Sequence, residues 1–266
     1  DAYSLGFENI IGLSASHKRN IYDLMDMIVE TLPEEEDLPE IAEEIRISIV
    51  GRPNVGKSSI LNFLAGEERS IVSDLPGTTR DAVDTVIRRE DHTFRIIDTA
   101  GLRRRSRIRE DLEYYSMVRT LEAIERSDIS LLIMDGSEPV TDQDKKLAAQ
   151  VMEKGKGLVI VLNKWDLLPK TPKLGDRIKE LIRDEMVFVE HAPLVFSSAL
   201  SGRGLHKLLP QVVNIWENRR KRISTNILNR MVRDILAFER VPSNGKGKFL
   251  KIFYCTQSGI EPPTFV

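Results

Sequence analysis

The sequence predicts an α/β fold in which helices flank an open, mainly parallel sheet, followed by a partial α+β unit. Apolar runs of strand length alternate with helix-like segments through most of the chain, which is typical of a parallel sheet. From about residue 225 a strongly amphipathic helix leads through a glycine-lysine loop into another apolar run. With 266 residues, 41% hydrophobic and 30% charged, the chain can bury one full α/β core.

The first element is a strand that enters a glycine-rich loop. Ile45, Ile47 and Ile49 alternate with polar residues and predict the strand, and an apolar run closed by Gly66 predicts a short helix after the loop. The loop matches G-x-x-x-x-G-K-[ST], in which backbone N–H groups and the lysine surround phosphates and the hydroxyl holds Mg²⁺. The sequence therefore predicts a nucleoside triphosphate site. The loop residues are Gly51, Arg52, Pro53, Asn54, Val55, Gly56, Lys57, Ser58 and Ser59.

Three later apolar runs each end in a polar motif. Because open α/β sheets bind ligands at the carboxyl ends of their strands, we expect these motifs to share one site with the loop. Asp98 is suited to a Mg²⁺ site and the Gly101 N–H to sensing a γ-phosphate. The Asp166 carboxylate can accept both N1–H and N2–H of guanine, which adenine does not supply. The motifs are Asp98-Thr99-Ala100-Gly101 after Phe94–Ile97, Asn163-Lys164-Trp165-Asp166 after Leu158–Leu162, and Ser197-Ser198-Ala199 after a third run.

In this order the motifs resemble the G1, G3, G4 and G5 motifs of a translation-factor-related GTPase. Pro76–Asp81 resembles the G2 switch of the Era-like branch, with Thr79 the implied Mg²⁺ ligand and Thr78 the alternative. The resemblance implies a P-loop GTPase fold that holds GTP or GDP, with Mg²⁺ bound by Ser58, Thr79 and Asp98. Beyond the loop, the implied nucleotide contacts are Asp98, Thr99, Ala100, Gly101, Leu102, Asn163, Lys164, Asp166, Ser198 and Ala199.

Two departures from the Ras-type pattern bear on catalysis. Leu102 stands where a water-orienting glutamine would otherwise follow the third motif. In Era-like relatives an asparagine matching Asn54 coordinates a potassium ion that bridges the phosphates, whereas the alternative role for Asn54 is turn formation. The resemblance thus implies GTP hydrolysis by in-line attack of water, with Lys57, Asn54, Thr79 and Gly101 as the catalytic residues.

The segment before the first strand resembles the end of another G domain. Ser14-Ala15 can be aligned with Ser198-Ala199, each between an apolar strand pattern and an amphipathic helix pattern. Pro33–Glu44 has seven acidic residues in twelve and two prolines, which predicts an extended spacer. We therefore expect a partial G domain at 1–32, an acidic linker at 33–45, a complete G domain at 46–222 and a further unit at 223–266.

The further unit opens with cap residues at 224–226 and a helix, followed by the Ser243–Lys248 loop, a predicted strand at Phe249–Tyr254 and Pro262-Pro263. The whole order is similar to the bacterial double-Era GTPase family Der, also called EngA, whose C-terminal domain is KH-like. That family acts in assembly of the large ribosomal subunit, which implies the subunit, its rRNA and a preceding G domain as partners. No G-x-x-G loop precedes the end of the sequence, so direct RNA binding and contact with the G domain both stay open.

Two other functions compete with this interpretation. One is the G domain of a tRNA-modification enzyme, which shares the GRPN and GTTRD motifs, and the other is a single-domain Era-type RNA chaperone. Arg103–Arg109 follow the third motif directly and fit either a solvated surface or a nucleotide-gated contact with rRNA or the final unit. We expect a cytoplasmic monomer, since no apolar run approaches the roughly 18 residues of a membrane span and the single Cys255 fits a reducing compartment.

Overall fold

A computed structural model describes residues 11–14, 20, 24, 27–28, 43–66, 84–89, 92–99, 113–238 and 252–266, with the backbone alone for 113–116 and 238. The chain forms two compact units, 1–42 and 43–266. In the first, the Asn20 side-chain amide donates to the Gly12 carbonyl at 2.8 Å and the Leu24 N–H to the Asn20 carbonyl at 3.2 Å. Most of the predicted N-terminal strand, Ser-Ala loop and helix lies outside the described residues, so their likeness to a G domain stays a prediction.

The second unit is built on a six-stranded sheet. Its strands are β1 (Glu44–Val50), β2 (Thr85–Arg89), β3 (His92–Ile96), β4 (Ile129–Asp135), β5 (Gly157–Asn163) and β6 (Leu194–Phe196). They lie in the order β2-β3-β1-β4-β5-β6. All neighbours pair in parallel except β2, which pairs antiparallel with β3 at one edge. The open, mainly parallel sheet predicted from the sequence is confirmed.

Helices cover both faces of this sheet. They are α1 (Lys57–Gly66), α2 (Glu113–Arg126), α3 (Asp142–Glu153), α4 (Leu174–Glu185) and α5 (Leu208–Arg220). One apolar cluster joins the sheet to α1 and α5, and a second joins its other face to α2, α3 and α4. With both faces covered, β4 and β5 are apolar along almost their whole length, as buried parallel strands are. The phosphate loop and the three later polar motifs follow the carboxyl ends of β1, β3, β5 and β6.

The final unit contains α6 (Thr225–Phe238) and two short antiparallel strands, β7 (Gln257–Gly259) and β8 (Thr264–Phe265). The predicted helix is confirmed, but the predicted strand at Phe249–Tyr254 is wrong in its described part, since 252–254 have no regular structure. Directly after this segment the Cys255 backbone bonds to Asn229 of α6, whose side-chain oxygen accepts the Cys255 N–H at 2.9 Å and whose amide donates to the Cys255 carbonyl at 2.8 Å, and strand pairing is present from Gln257 onward. A helix side chain therefore takes the place of a neighbouring strand.

The final unit contacts the G domain at the end of the sheet opposite the polar motifs. The Glu261 N–H donates to the Arg219 carbonyl at 3.3 Å, and the Glu261 carboxylate pairs with Arg220 at 3.3 Å. Gly155 has φ +63°, and a Cβ there would lie 2.9 Å from a ring carbon of Pro262. Arg220 also stacks on Trp216, 4.4 Å from the ring centroid. Contact with the G domain, one of the two roles left open for this unit, is therefore present.

Candidate functional site

The glycine-rich loop connects β1 to α1 and has a backbone that requires glycine at two positions. Gly51 has φ +146°, and a Cβ there would lie 2.3 Å from the Ile133 carbonyl oxygen. Gly56 has φ +102°, and its Cβ would lie 2.2 Å from the Asn163 amide nitrogen. Asn54 between them is exposed and also left-handed, with φ +62°. A Cβ at Gly51 would clash with β4 and one at Gly56 with Asn163, so only glycine allows this bent backbone, and the residues present fit a phosphate group.

Lys57 is the first residue of α1, and its ammonium lies over the loop. The side chain is largely buried, and Nζ donates to the Gly51 carbonyl at 2.8 Å and also to the Arg52 carbonyl. The loop's own carbonyls therefore fix the height of this positive charge above the loop. Together with the N-terminus of α1, whose dipole is positive there, the arrangement favours an anion.

The Arg52 side chain points away from the loop. Its Nη1 donates to the Glu138 carboxylate at 2.7 Å and its Nη2 to the Glu138 carbonyl at 3.0 Å. Its Nε lies 3.2 Å from Asp144 in α3. The sequence predicts Arg52 as a nucleotide contact, and the structure brings its backbone into the loop while its guanidinium contacts two carboxylates.

The third motif begins directly after β3. Asp98 has φ +53°, and its N–H donates to the Asp84 carboxylate at 3.0 Å. The Thr85 hydroxyl lies 3.0 Å from the Thr99 hydroxyl, and both threonines are buried. The start of β2 and the start of the third motif are thus held together at two points.

Several predicted site residues lie outside the described part of the chain. These are Thr78, Thr79, Ala100, Gly101, Leu102 and the arginines of 103–109. Within the described ranges, no group of three or more His, Cys, Asp or Glu side chains could hold a metal ion. Ser58 and Asp98 follow β1 and β3, which are neighbours in the sheet, and a hydroxyl with a carboxylate is a donor set suited to Mg²⁺ once phosphate oxygens add to it.

The buried amide of Asn163 connects three of the predicted motifs. Its Nδ2 donates to the Val55 carbonyl in the loop at 2.8 Å, and its Oδ1 accepts the Ala199 N–H at 2.9 Å. The Ser197 hydroxyl is 3.4 Å from the same oxygen. The phosphate loop and the fourth and fifth motifs therefore form one site, as their positions at strand ends predict.

Lys164 and Asp166 occupy a left-handed turn and a 3₁₀ helix after β5. Lys164 has φ +60°, and its Nζ lies 2.6 Å from Asp135 at the end of β4. Burial raises the pKa of the Asp135 carboxyl, but hydrogen bonds from Lys164 and Ser137 outweigh it and hold that pKa below its ordinary value. Asp166 is exposed and lines a cavity of about 650 Å³ together with Ser198. The cavity is within the range of about 300–1,000 Å³ usual for small-molecule sites.

Sequence reasoning missed three carboxylates that support the site. Asp84 fixes the third motif, Asp135 pairs with Lys164, and Asp144 pairs with Arg52. Asp144 had a detectable signal, since Thr141 three residues before it completes a capping-box pattern at the start of α3. Asp84 and Asp135 had none, because their partners are 14 and 29 residues away.

Comparison with known proteins identifies relatives along the whole chain. A family model described as a 50S ribosome-binding GTPase matches residues 46–164, and one described as the C-terminal KH-domain-like region of EngA bacterial GTPase enzymes matches 222–266. GTPase Der of Natranaerobius thermophilus is 48% identical over 266 residues, which are 99% of this chain and 60% of that protein. GTPase Der of Heliobacterium modesticaldum is 47% identical over 100% of this chain and 60% of its own length. The chain thus spans about 60% of these relatives.

A solved structure shares the fold of the G domain. It is a crystal structure of Era in complex with MgGDPNP and nucleotides 1506–1542 of 16S ribosomal RNA, with 28% sequence identity and a TM-score of 0.50. The match covers 65% of this chain and 57% of that one. In the described part of the chain, no helix combines the length and apolar character that crossing a membrane requires.

Proposed function

The chain belongs to the Der (EngA) family of GTPases, and from that membership we propose that it binds GTP and hydrolyses it to GDP and phosphate during assembly of the large (50S) ribosomal subunit in the cytoplasm. The single observation that best supports GTP binding is the position of the Asn163 side-chain amide. It donates to the phosphate loop and accepts from the fifth motif, so phosphate and base would be bound on either side of one buried side chain.

We assign guanine recognition to Asp166, Ser198 and Ala199. The Asp166 carboxylate accepts N1–H and N2–H of the base, and backbone N–H groups of the Ser198-Ala199 turn can donate to O6. Adenine offers an acceptor at N1 and no amino group at C2, so the carboxylate would be left without donors and the site would reject it. Asp135 holds the Lys164 ammonium beside these residues, so the alkyl chain of Lys164 would be available to contact the base.

We assign phosphate binding and hydrolysis to residues of the phosphate loop, of Pro76–Asp81 and of the third motif. Lys57 neutralises charge on the β- and γ-phosphates, and Ser58, Thr79 and Asp98 would hold Mg²⁺, which would supply further positive charge as the bond between the γ-phosphorus and the bridging oxygen breaks. Asn54 would hold K⁺ at the exposed side of the loop, and Gly101 would donate its N–H to the γ-phosphate. Because Leu102 offers no hydrogen bond to water, the unassisted rate should be low.

The ribosomal part of the proposal is supported by relatives rather than by contacts. Era is bound to part of 16S ribosomal RNA in its crystal structure, which supports an rRNA partner, and the choice of the large subunit rests on the G-domain model, which is described as 50S ribosome-binding. The KH-like match at 222–266 favours the Der type over a tRNA-modification enzyme, and the whole-chain identity to Der proteins favours it over Era. We propose the large subunit and its rRNA as partners of a monomer, with any preceding G domain in the same chain.

The nucleotide proposal can be tested with the chain as it exists. Binding of fluorescent GDP and ADP should differ by at least about a thousandfold in favour of GDP, because a site that hydrogen-bonds N1–H and N2–H of guanine strongly rejects a base that lacks these donors. Lys57→Ala should abolish phosphate release from GTP. Lys154→Ala, which removes an exposed lysine paired with Glu125, is the matched control and should leave the rate unchanged. Equal binding of ADP and GDP would refute the proposal.

A separate experiment tests the ribosomal partner. The full-length protein should sediment with purified 50S subunits in the presence of a non-hydrolysable GTP analogue and much less in GDP. Because contacts to rRNA phosphates release counterions, the bound fraction should also fall steeply between about 50 and 200 mM salt. Binding to 30S and 50S subunits alike, independent of nucleotide, would contradict the assignment.

A further inference from the structure

The phosphate loop is held from two sides, and only one of them belongs to the guanine motif. Asn163 fixes the second half of the loop through the Val55 carbonyl at 2.8 Å. Arg52 fixes the first half through Glu138 and Asp144, which lie between β4 and α3 and in α3. Arg52 belongs to a loop that fits phosphate, yet its guanidinium contacts these two carboxylates, and that orientation has a cause in the structure.

The Asp144 carboxylate explains it. This side chain is 0% exposed, although a buried charge without partners is strongly destabilising. One of its oxygens accepts from the Thr141 N–H at 3.0 Å and from the Thr141 hydroxyl at 2.8 Å. Both partners are neutral, and Arg52 is the positive group that the described structure pairs with this carboxylate. The Arg52 side chain is itself only 16% exposed, so the pair is largely shielded from water.

The backbone of Arg52 has a second task. Its carbonyl, with that of Gly51, accepts from the Lys57 ammonium. The side chain of Arg52 is therefore anchored on α3 while its carbonyl holds the charge that faces the nucleotide. A displacement of the guanidinium would move that carbonyl, and with it the Lys57 ammonium.

We propose that Arg52 and Asp144 form a positioning pair for Lys57, so that Arg52 supports nucleotide binding through the loop and not by contact with phosphate. The inference rests on the proposed function, since Lys57 is taken to bind the phosphates. The two roles predict opposite changes in nucleotide affinity when the guanidinium is freed from Asp144. If Arg52 acted by direct contact with the phosphates, freeing its guanidinium would strengthen nucleotide binding. If Arg52 and Asp144 position Lys57, freeing it weakens nucleotide binding.

Asp144→Asn tests this difference because it keeps the shape of the side chain and removes its charge. We expect fluorescent GDP to dissociate at least about tenfold faster than from the parent, which corresponds to about 1.4 kcal/mol. Arg52→Met should have a similar effect, and the double variant should be no worse than either single one, because both changes break the same pair. Glu138→Ala removes only the exposed partner and should change the rate less than about threefold.

Two further measurements separate positioning from loss of structure. The ratio of GDP to inosine diphosphate affinity should stay at the parental value in all variants, since Asn163 and Asp166 are untouched. The thermal midpoint without nucleotide shows whether Asp144→Asn folds, and if it does not, Arg52→Lys decides the question. A lysine keeps the positive charge but lacks the planar guanidinium, whose several N–H groups bind Asp144 and Glu138 at the same time. Faster GDP release is therefore still expected from Arg52→Lys.

The possible failures are distinguishable. If the parent does not retain GDP in preference to ADP, the proposed function fails. If the parent retains GDP but the folded Asp144→Asn or Arg52→Lys protein releases it at the parental rate or more slowly, the positioning pair is refuted. Additive losses in the double variant would mean that Arg52 and Asp144 act independently.

Discussion

Asn163 offers a quantitative test of how the three motifs are joined. Asn163→Ala removes a donor to the Val55 carbonyl and an acceptor for the Ala199 N–H, and the side chain is only 2% exposed. The two partners left without a hydrogen bond, one at the buried Val55 and one at the half-buried Ala199, cost about 1–3 kcal/mol each, so the free energy of unfolding should fall by about 2–6 kcal/mol. The new cavity would lie beside Gly56, which is only half-buried. Water can therefore enter the cavity and bond to the groups left without a partner, so the lower part of that range applies.

The assay combines thermal unfolding with nucleotide release. A loss of about 2–3 kcal/mol lowers the melting temperature of a domain of this size by about 4–12 °C. GDP should also dissociate at least about tenfold faster, since the loop is then held only on the Arg52 side. Asn163→Asp separates the two bonds, because it keeps the acceptor for Ala199 but sets an oxygen against the Val55 carbonyl, and it should release GDP faster still.

Asn218→Ala provides the matched control. That asparagine is exposed on α5, bonded to Asn214 and Lys221, and its loss should change stability by less than about 0.5 kcal/mol. If Asn163→Ala melts within about 1 °C of the parent and keeps GDP as long, the buried amide does not join the motifs energetically, whatever its geometry.

Four further outcomes are expected. Asp166→Asn should shift preference from GTP to xanthosine triphosphate in competition binding, because the amide presents a donor where guanine needs an acceptor. Continued preference for GTP would mean that Asp166 does not recognise the base. Phosphate release should be faster in potassium than in sodium at equal ionic strength, and Asn54→Ala should abolish the difference; a parent indifferent to the salt removes the cation from the mechanism. Replacing Arg103–Arg105 by alanine should reduce the ratio of 50S binding with a GTP analogue to 50S binding with GDP, both measured by pelleting. An unchanged ratio would mean that these arginines do not take part in the nucleotide-dependent contact. Gly155→Ala should lower the melting temperature by about 2–8 °C, because a left-handed alanine costs roughly 1–2 kcal/mol and its Cβ would meet a proline ring of the final unit at 2.9 Å; parental stability would mean that this contact contributes nothing.

The sequence predicts the parts of the fold and site that are governed by local pattern. Alternation at Ile45–Ile49 identifies β1, and the G-K-S sequence marks the start of α1, because strand and loop chemistry repeat over a few residues. It also predicts that the Asn163 motif and the Ser197-Ser198-Ala199 motif meet, since topology brings the carboxyl ends of parallel strands together, and Asn163 indeed contacts Ser197 and Ala199. It does not predict the orientation of Arg52, which depends on a carboxylate 92 residues away.

The strand expected at Phe249–Tyr254 fails for a related reason. Its apolar residues satisfy the pattern of a strand, but a strand needs a neighbour for its backbone groups. At Cys255 that partner is the Asn229 side chain, a contact that no periodicity reveals. Long-range polar contacts are therefore where sequence reasoning ends for this chain.

The position of β6 at the edge of the sheet has a consequence for the order in which a nucleotide would be released. β6 is three residues long and, among the described strands, pairs with β5 at three positions, while β4 and β5 share seven register pairs. Short edge elements open by local fluctuations of lower free energy than central strands, so amide hydrogens of 194–196 should exchange with solvent well before those of 129–135. The turn that faces the base follows β6, whereas the phosphate loop follows the central strand β1. Departure would then start at the guanine ring and end at the phosphates.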